Sequence, residues 1–138
     1  MTTLEEIAEW FRRAVPEPMK TNISVQVGCH FEEVAEFAAA AGVNRWVVER
    51  LDDIAGDLKY EKPELRVDPV PALDALCDQI VTAIGVAHMC GWDILGALAE
   101  VNRSNWSKFV ESSPVFNATG KIGKGPDYTP PDLSRFVK

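Results

Sequence analysis

The string His30-Phe31-Glu32-Glu33-Val34-Ala35-Glu36-Phe37 decides the fold class and gives the first hint of chemistry. Its acids stand among Phe31, Val34, Ala35 and Phe37, with alanines running on to Gly42 and no Pro within, so the spacing predicts a helix. On a helix Glu33 and Glu36 lie three apart and share a face. A second string, Leu73-Asp74-Ala75-Leu76-Cys77-Asp78, places Asp74 and Asp78 four apart in another apolar stretch. Two acidic pairs projecting from neighbouring helices repel unless a positive charge sits between them. Mg²⁺ or Mn²⁺, held by oxygen ligands, is the expected ion. The combination predicts a metal-dependent enzyme acting on a polyphosphate. The bland alternative is that these acids form solvated faces, as most surface carboxylates do; the apolar setting of Asp74 and Asp78 counts against it.

Working outward, Thr3 and Glu6 have the spacing of a capping box, followed by Leu4, Ile7, Trp10, Phe11 and Ala14 at helical intervals until Pro16. Thr21 or Asn22 can cap the acidic helix, which ends at Gly42, a C-terminal capping residue. Residues 22–27 are the one short β-like run. Asn44 can cap a third helix over 44–60, with Trp46, Val47, Leu51, Ile54 and Leu58 facing inward. The Pro-bounded segment 62–71 predicts a loop. A fourth helix over about 71–90 bears the second acidic pair, ends at Gly91 and is apolar enough to be the most buried element. Asp93 caps a fifth helix reaching Phe109. Five amphipathic helices predict an all-α bundle forming one domain over 1–138. The Gly- and Pro-rich segment 112–138 is either a floppy tail or an ordered arm anchored by Phe116, Ile122, Tyr128, Leu133 and Phe136.

A chain of 138 residues can bury a core without disulfide or metal staples. Its net charge of −7 argues against a surface that coats a nucleic acid polymer, which needs clustered Lys and Arg. Cys29, Cys77 and Cys90 are odd in number and lie in helical patterns, so no disulfide framework is expected. The N-terminus lacks the basic and apolar regions of a signal peptide, and the longest apolar run, about 80–90, is too short to span a membrane. The expected compartment is the cytoplasm, or the host cytoplasm if the source is a virus.

These strings resemble the MazG-like all-α nucleoside triphosphate pyrophosphohydrolases, whose pattern is Glu-x-x-Glu on one helix and Glu-x-x-Asp on a later one. Glu33-Val34-Ala35-Glu36, preceded by Glu32, matches the first half. The second half departs: Ala75 stands three before Asp78, and Asp74, one turn before it, is placed to take over. The likeness is closer to phage and bacterial members of the phosphoribosyl-ATP pyrophosphohydrolase-like group. It rests on Gly28-Cys29-His30-Phe31-Glu32-Glu33-Val34-Ala35-Glu36, on Val101-Asn102-Arg103-Ser104-Asn105-Trp106-Ser107-Lys108, and on the tail from Gly120 through Tyr128 to Asp132. The resemblance implies hydrolysis of a nucleoside triphosphate to monophosphate and pyrophosphate, Mg²⁺ or Mn²⁺ as cofactor, and a homodimer or homotetramer. A guanine nucleotide is the favoured substrate.

Under that resemblance Glu33, Glu36, Asp74 and Asp78 are the metal ligands, and Glu32 or Glu36 orients or deprotonates the attacking water. Asn102, Asn105 and Lys108 are suited to phosphate oxygens, with Arg103 able to join them; Lys108 has an alternative role as a helix-end charge. Lys121 and Lys124, set among glycines, can reach phosphate. Gln26 and His30 share the face of Glu33 and can meet base or sugar, although His30 is equally readable as a core histidine. His88 is expected to be structural; Trp46, Trp92 and Trp106 could stack on a base, but aromatic residues at helical spacing are usually core. A ferritin-like di-iron protein fails, because Val27 and Gly85, not Glu, stand three before the histidines. A phosphoribosyl-ATP pyrophosphohydrolase or dUTPase-like enzyme remains within the same class, and a non-catalytic interaction bundle is the competitor from another.

Overall fold

The computed structural model describes all residues, Met1–Lys138, as an all-helical chain. Its helices are α1 (Thr3–Ala14), α2 (Lys20–Ala40), α3 (Arg45–Tyr60), α4 (Pro69–Met89) and α5 (Ile94–Trp106), followed by a single 3-10 turn at Ser134–Phe136. Two compact units emerge. One comprises Glu17–Leu65 with Phe116–Gly123; the other comprises Met1–Pro16, Arg66–Val115 and Lys124–Lys138. The C-terminal arm is ordered and divides between them.

In the first unit α2 and α3 form a helical hairpin. Gly42 and Gly91 each follow a helix with positive φ, 76° and 74°. At both, two amide bonds close a Schellman motif: Gly42 N–H to Ala39 and Val43 N–H to Ala38, then Gly91 N–H to His88 and Trp92 N–H to Ala87. Asn44 caps α3 by accepting from Trp46 N–H at 2.8 Å, as its position predicts. The hairpin packs through small residues, burying Ser24, Val25, Gly28, Ala35 and Ala38 against Ala55. Ser24 Oγ donates to Leu58 O at 2.8 Å. A Cβ on Gly28 would stand 2.6 Å from Lys59 Cγ and 2.9 Å from Ala55 O, so only glycine allows this approach. Trp46, Val47 and Ile54, expected inward, are exposed.

In the second unit the core is aromatic. Trp10 stacks on Phe109 with centroids 5.2 Å apart, Phe109 meets Trp106 edge-on at 5.5 Å, and Trp10 Nε1 donates to Asn105 O at 3.0 Å. The buried Asn102 of α5 donates to Glu6 of α1 at 2.8 Å.

Several boundaries differ from expectation. The capping box of α1 is Thr2 with Glu5, one residue earlier than Thr3 with Glu6. Both pairs have the required spacing, and Glu6 is engaged by Asn102. α2 begins at Lys20 with Met19, not Thr21 or Asn22, at its N-cap; residues 22–27 lie inside the helix, and Asn22 Oδ1 accepts from Met19 N–H. Proline tolerates the first helical turn, so α4 begins at Pro69. α5 ends at Trp106.

The largest correction concerns α4. Expected as the most buried element, it buries Ala87 alone. Val70, Leu73, Leu76, Ile80, Val81 and Ile84 are all exposed. The helix also runs to 21 residues at a mean hydropathy of 1.4 in its most apolar window, long and apolar enough by itself to cross a membrane. Counting only the run at 80–90 missed its first turns, which carry Asp74 and Asp78.

Candidate functional site

Every acid of the first string lies on the middle turns of α2. Glu33 and Glu36 are exposed, as are Gln26 and His30, which share the exposed face with Glu33. Glu32 points elsewhere, and its side chain is only 22% exposed. One carboxylate oxygen accepts from Lys59 of α3; the other accepts from Lys121 Nζ at 2.5 Å. These bonds, that of Lys121 first, hold the Glu32 carboxyl below its ordinary pKa. Burial works against the charge on Lys121, yet Glu32 outweighs it and the ammonium is held above its ordinary value. Burial pushes the Cys29 thiol up, against the neighbouring Lys121 charge.

Lys121 arrives on a built loop. Asn117 Oδ1 accepts from the amides of Thr119 and Lys121, both at 3.0 Å, and Asn117 N–H donates to Lys121 O at 2.8 Å. Phe116 and Ile122 bridge the loop's ends. Thus two strings far apart in sequence, the acidic helix and the Gly-Lys tail, meet within one unit.

In the other unit Asp74 and Asp78 are exposed on α4. Asp74 edges a shallow depression of 410 Å³ lined by Pro69, Val70, Leu73 and Cys77. In the Val101–Lys108 string, Arg103, Ser104, Ser107 and Lys108 serve the arm. Arg103 pairs with Glu100 at 2.8 Å and donates to Thr129 Oγ1 at 2.6 Å and Pro130 O at 3.2 Å. Ser104 Oγ donates to Thr129 O at 2.8 Å, and Thr129 N–H donates to Ser107 Oγ at 3.0 Å. Asn105 gives its carbonyl to Trp10, and Lys108 gives its carbonyl to Gly125 N–H at 3.0 Å. Asn102 is internal. Lys124 lies over the Tyr128 ring at 4.9 Å. The second and third strings therefore grip one another.

Compared with protein-family models, curated proteins and solved structures, the chain gave no match.

No group of three or more Asp, Glu, His or Cys side chains stands ready to enclose a metal ion. The donors are all carboxylate oxygens, however, and Mg²⁺ is commonly held by one or two carboxylates with waters and substrate phosphates completing its shell. Glu33 and Glu36 fit that mode. Sequence reasoning missed Lys59; the signal was Gly28, one turn before Glu32, where a missing side chain admits a neighbour.

Proposed function

We propose that the protein is a metal-dependent nucleoside triphosphate pyrophosphohydrolase, converting a (d)NTP and water to the monophosphate and pyrophosphate, with a guanine nucleotide favoured. The observation that carries this reading is the meeting of Glu32 on the acidic helix with Lys121 on the tail loop. It brings an acidic row and a phosphate-seeking cation to one place. Glu33 and Glu36 would hold Mg²⁺ or Mn²⁺. A bound divalent ion supplies charge neutralisation for the triphosphate and acidifies the attacking water. Glu36 would orient that water and accept its proton, Lys121 would meet phosphate oxygens, and Gln26 and His30 would face the nucleoside.

The exposed apolar face of α4 supports a homodimer or homotetramer. On α4, Val70, Leu73, Leu76, Ile80, Val81 and Ile84 are exposed, an apolar row of the kind that subunit interfaces cover. A lipid partner is disfavoured by Asp78, near the middle of α4, since a carboxylate at mid-bilayer costs about 2.5–3.5 kcal/mol. Three free cysteines agree with a reducing, cytoplasmic setting.

The test is pyrophosphate release from a panel of NTPs and dNTPs with Mg²⁺ or Mn²⁺. Metal-dependent release, lost in Glu36→Gln while the helical circular dichroism is unchanged, is the expected result. No release from any nucleotide or from phosphoribosyl-ATP by the folded protein would sink the enzyme reading. The same α4 face would then favour a non-catalytic interaction module.

A further inference from the structure

α4 carries an apolar stripe and a polar flank that complement each other when the helix is reversed. Val70, Leu73, Cys77, Ile80 and Ile84 recur at alternating steps of three and four residues, and all are exposed. The series ends at Ala87, which its own chain buries. One residue after Leu73, Ile80 and Ala87 come Asp74, Val81 and His88, each seven from the next, along one edge of the stripe. Asp74 and His88 are both exposed. α4 holds no Lys or Arg: its acids, Asp74 and Asp78, stand in the first half, and His88, in the last turn, is its one basic side chain.

We propose that the occupant of this face is α4 of a second copy, running antiparallel, with Asp74 of each copy accepting from the His88 imidazole of the other. The inference rests on the subunit-interface reading of α4 above. In an antiparallel helix pair the same edge of both helices meets along one side, so positions 74 and 88 oppose 88 and 74 across a twofold axis beside Val81. Carboxylate then meets imidazole, and the partly positive N-terminal end of each helix lies beside the partly negative C-terminal end of the other. A parallel pair gathers the four aspartates of the two copies at one end, with no Lys or Arg on either helix to offset them. Asp74 thereby serves assembly: its contact selects the direction of pairing, while the apolar stripe supplies the affinity.

The test mixes two variants of the full chain, Asp74→Cys and His88→Cys, each with Cys77→Ala and Cys90→Ser so that only the intended thiols stand on α4. Mild oxidation should join them in a heterodisulfide, mapped by peptide mass, because the two positions face each other in an antiparallel pair. In a parallel pair they stand about 21 Å apart along the axis, beyond the reach of a disulfide. Sedimentation of chains with native cysteines is the second measurement. His88→Asp should weaken self-association about tenfold, and adding Asp74→Lys to that chain should restore it, a rescue that simple damage to the helix does not predict. Self-association without the heterodisulfide, or without rescue by Asp74→Lys, overturns the antiparallel pairing and leaves the subunit interface standing. A monomeric wild type overturns both and gives the α4 face to a different protein or to a lipid surface.

Discussion

Gly28→Ala tests how closely α2 and α3 must approach for Glu32 to be held at all. Alanine in a helix interior is favoured over glycine by about 1 kcal/mol, so propensity alone makes this substitution stabilising. Against that stands the contact: the added Cβ would lie 2.6 Å from Lys59 Cγ, 2.9 Å from Ala55 O and 3.1 Å from Lys59 N. Side-chain rotation could relieve only the first. The other two are backbone atoms, so the helices must separate along a seam of small residues that has no other filling. Overpacking of this kind costs about 1–3 kcal/mol, and the backbone contacts place Gly28→Ala at the upper end, for a net loss near 2 kcal/mol. Gly56→Ala on α3 is the internal control, because nothing lies within 4 Å of its added Cβ. It should gain about 0.5–1 kcal/mol. Thermal melts followed at 222 nm should therefore diverge, Gly28→Ala falling by roughly 6–10 °C and Gly56→Ala rising by a few degrees. If Gly28→Ala melts at or above wild type, the close approach is not a constraint and the anchoring of Lys59 argued from it fails.

Two further expectations concern assembly and pH. Ile80→Asp puts a charge on the exposed face of α4. A buried Ile is worth about 1.5–3 kcal/mol, counted twice in a symmetric pair, so self-association should weaken by at least about a hundredfold by sedimentation. A wild-type monomer, or a variant that still associates, removes α4 from the interface. Glu100 is pulled down to about 2 by the Arg103 hydrogen bond first and the Asp132 amide second. A lowered pKa stabilises above the ordinary value of 4.5, and that contribution disappears as pH falls through about 2. Exchange at the Asp132 amide should therefore be faster in Glu100→Gln than in wild type at pH 7, with the gap closing between pH 4.5 and 2. A gap independent of pH would assign the difference to shape, not charge.

Four of the helix caps were legible because each is a local device. Gly42, Gly91, Asn44 and Asp93 satisfy amides or carbonyls within four residues of themselves, and the sequence carries both partners side by side. The acidic row on α2 was legible for the same reason, since helical spacing alone aligns Glu33 with Glu36. What the string could not carry was the partner of each polar group at long range. Arg103 and Ser104 look like substrate residues until Thr129 and Pro130 are seen against them, 25 or more positions on. Asn102 is similar, because its partner Glu6 belongs to a helix at the other end of the chain. Lys59 was invisible until the gap at Gly28 brought α3 alongside.

The misreading of α4 has a different origin. An apolar helix has two soluble solutions, burial within its own chain or burial against another, and hydropathy is identical for both. The discriminating residues were the same Asp74 and Asp78 that drew attention to chemistry. Inside a monomer core each carboxylate would lose its hydration and need a cation or several donors, at a cost of several kcal/mol per unpaired charge. On the exposed helix both remain solvated. An intersubunit interface can leave them at its wet rim while covering Leu76, Ile80 and Ile84. Their presence thus favours the intersubunit solution over the intrachain one. Reversing the polarity sharpens the point: Asp78→Leu should leave the thermal melt of the chain unchanged and should not weaken self-association by sedimentation, because a solvated rim carboxylate carries neither; a lowered melt would refute the solvated placement.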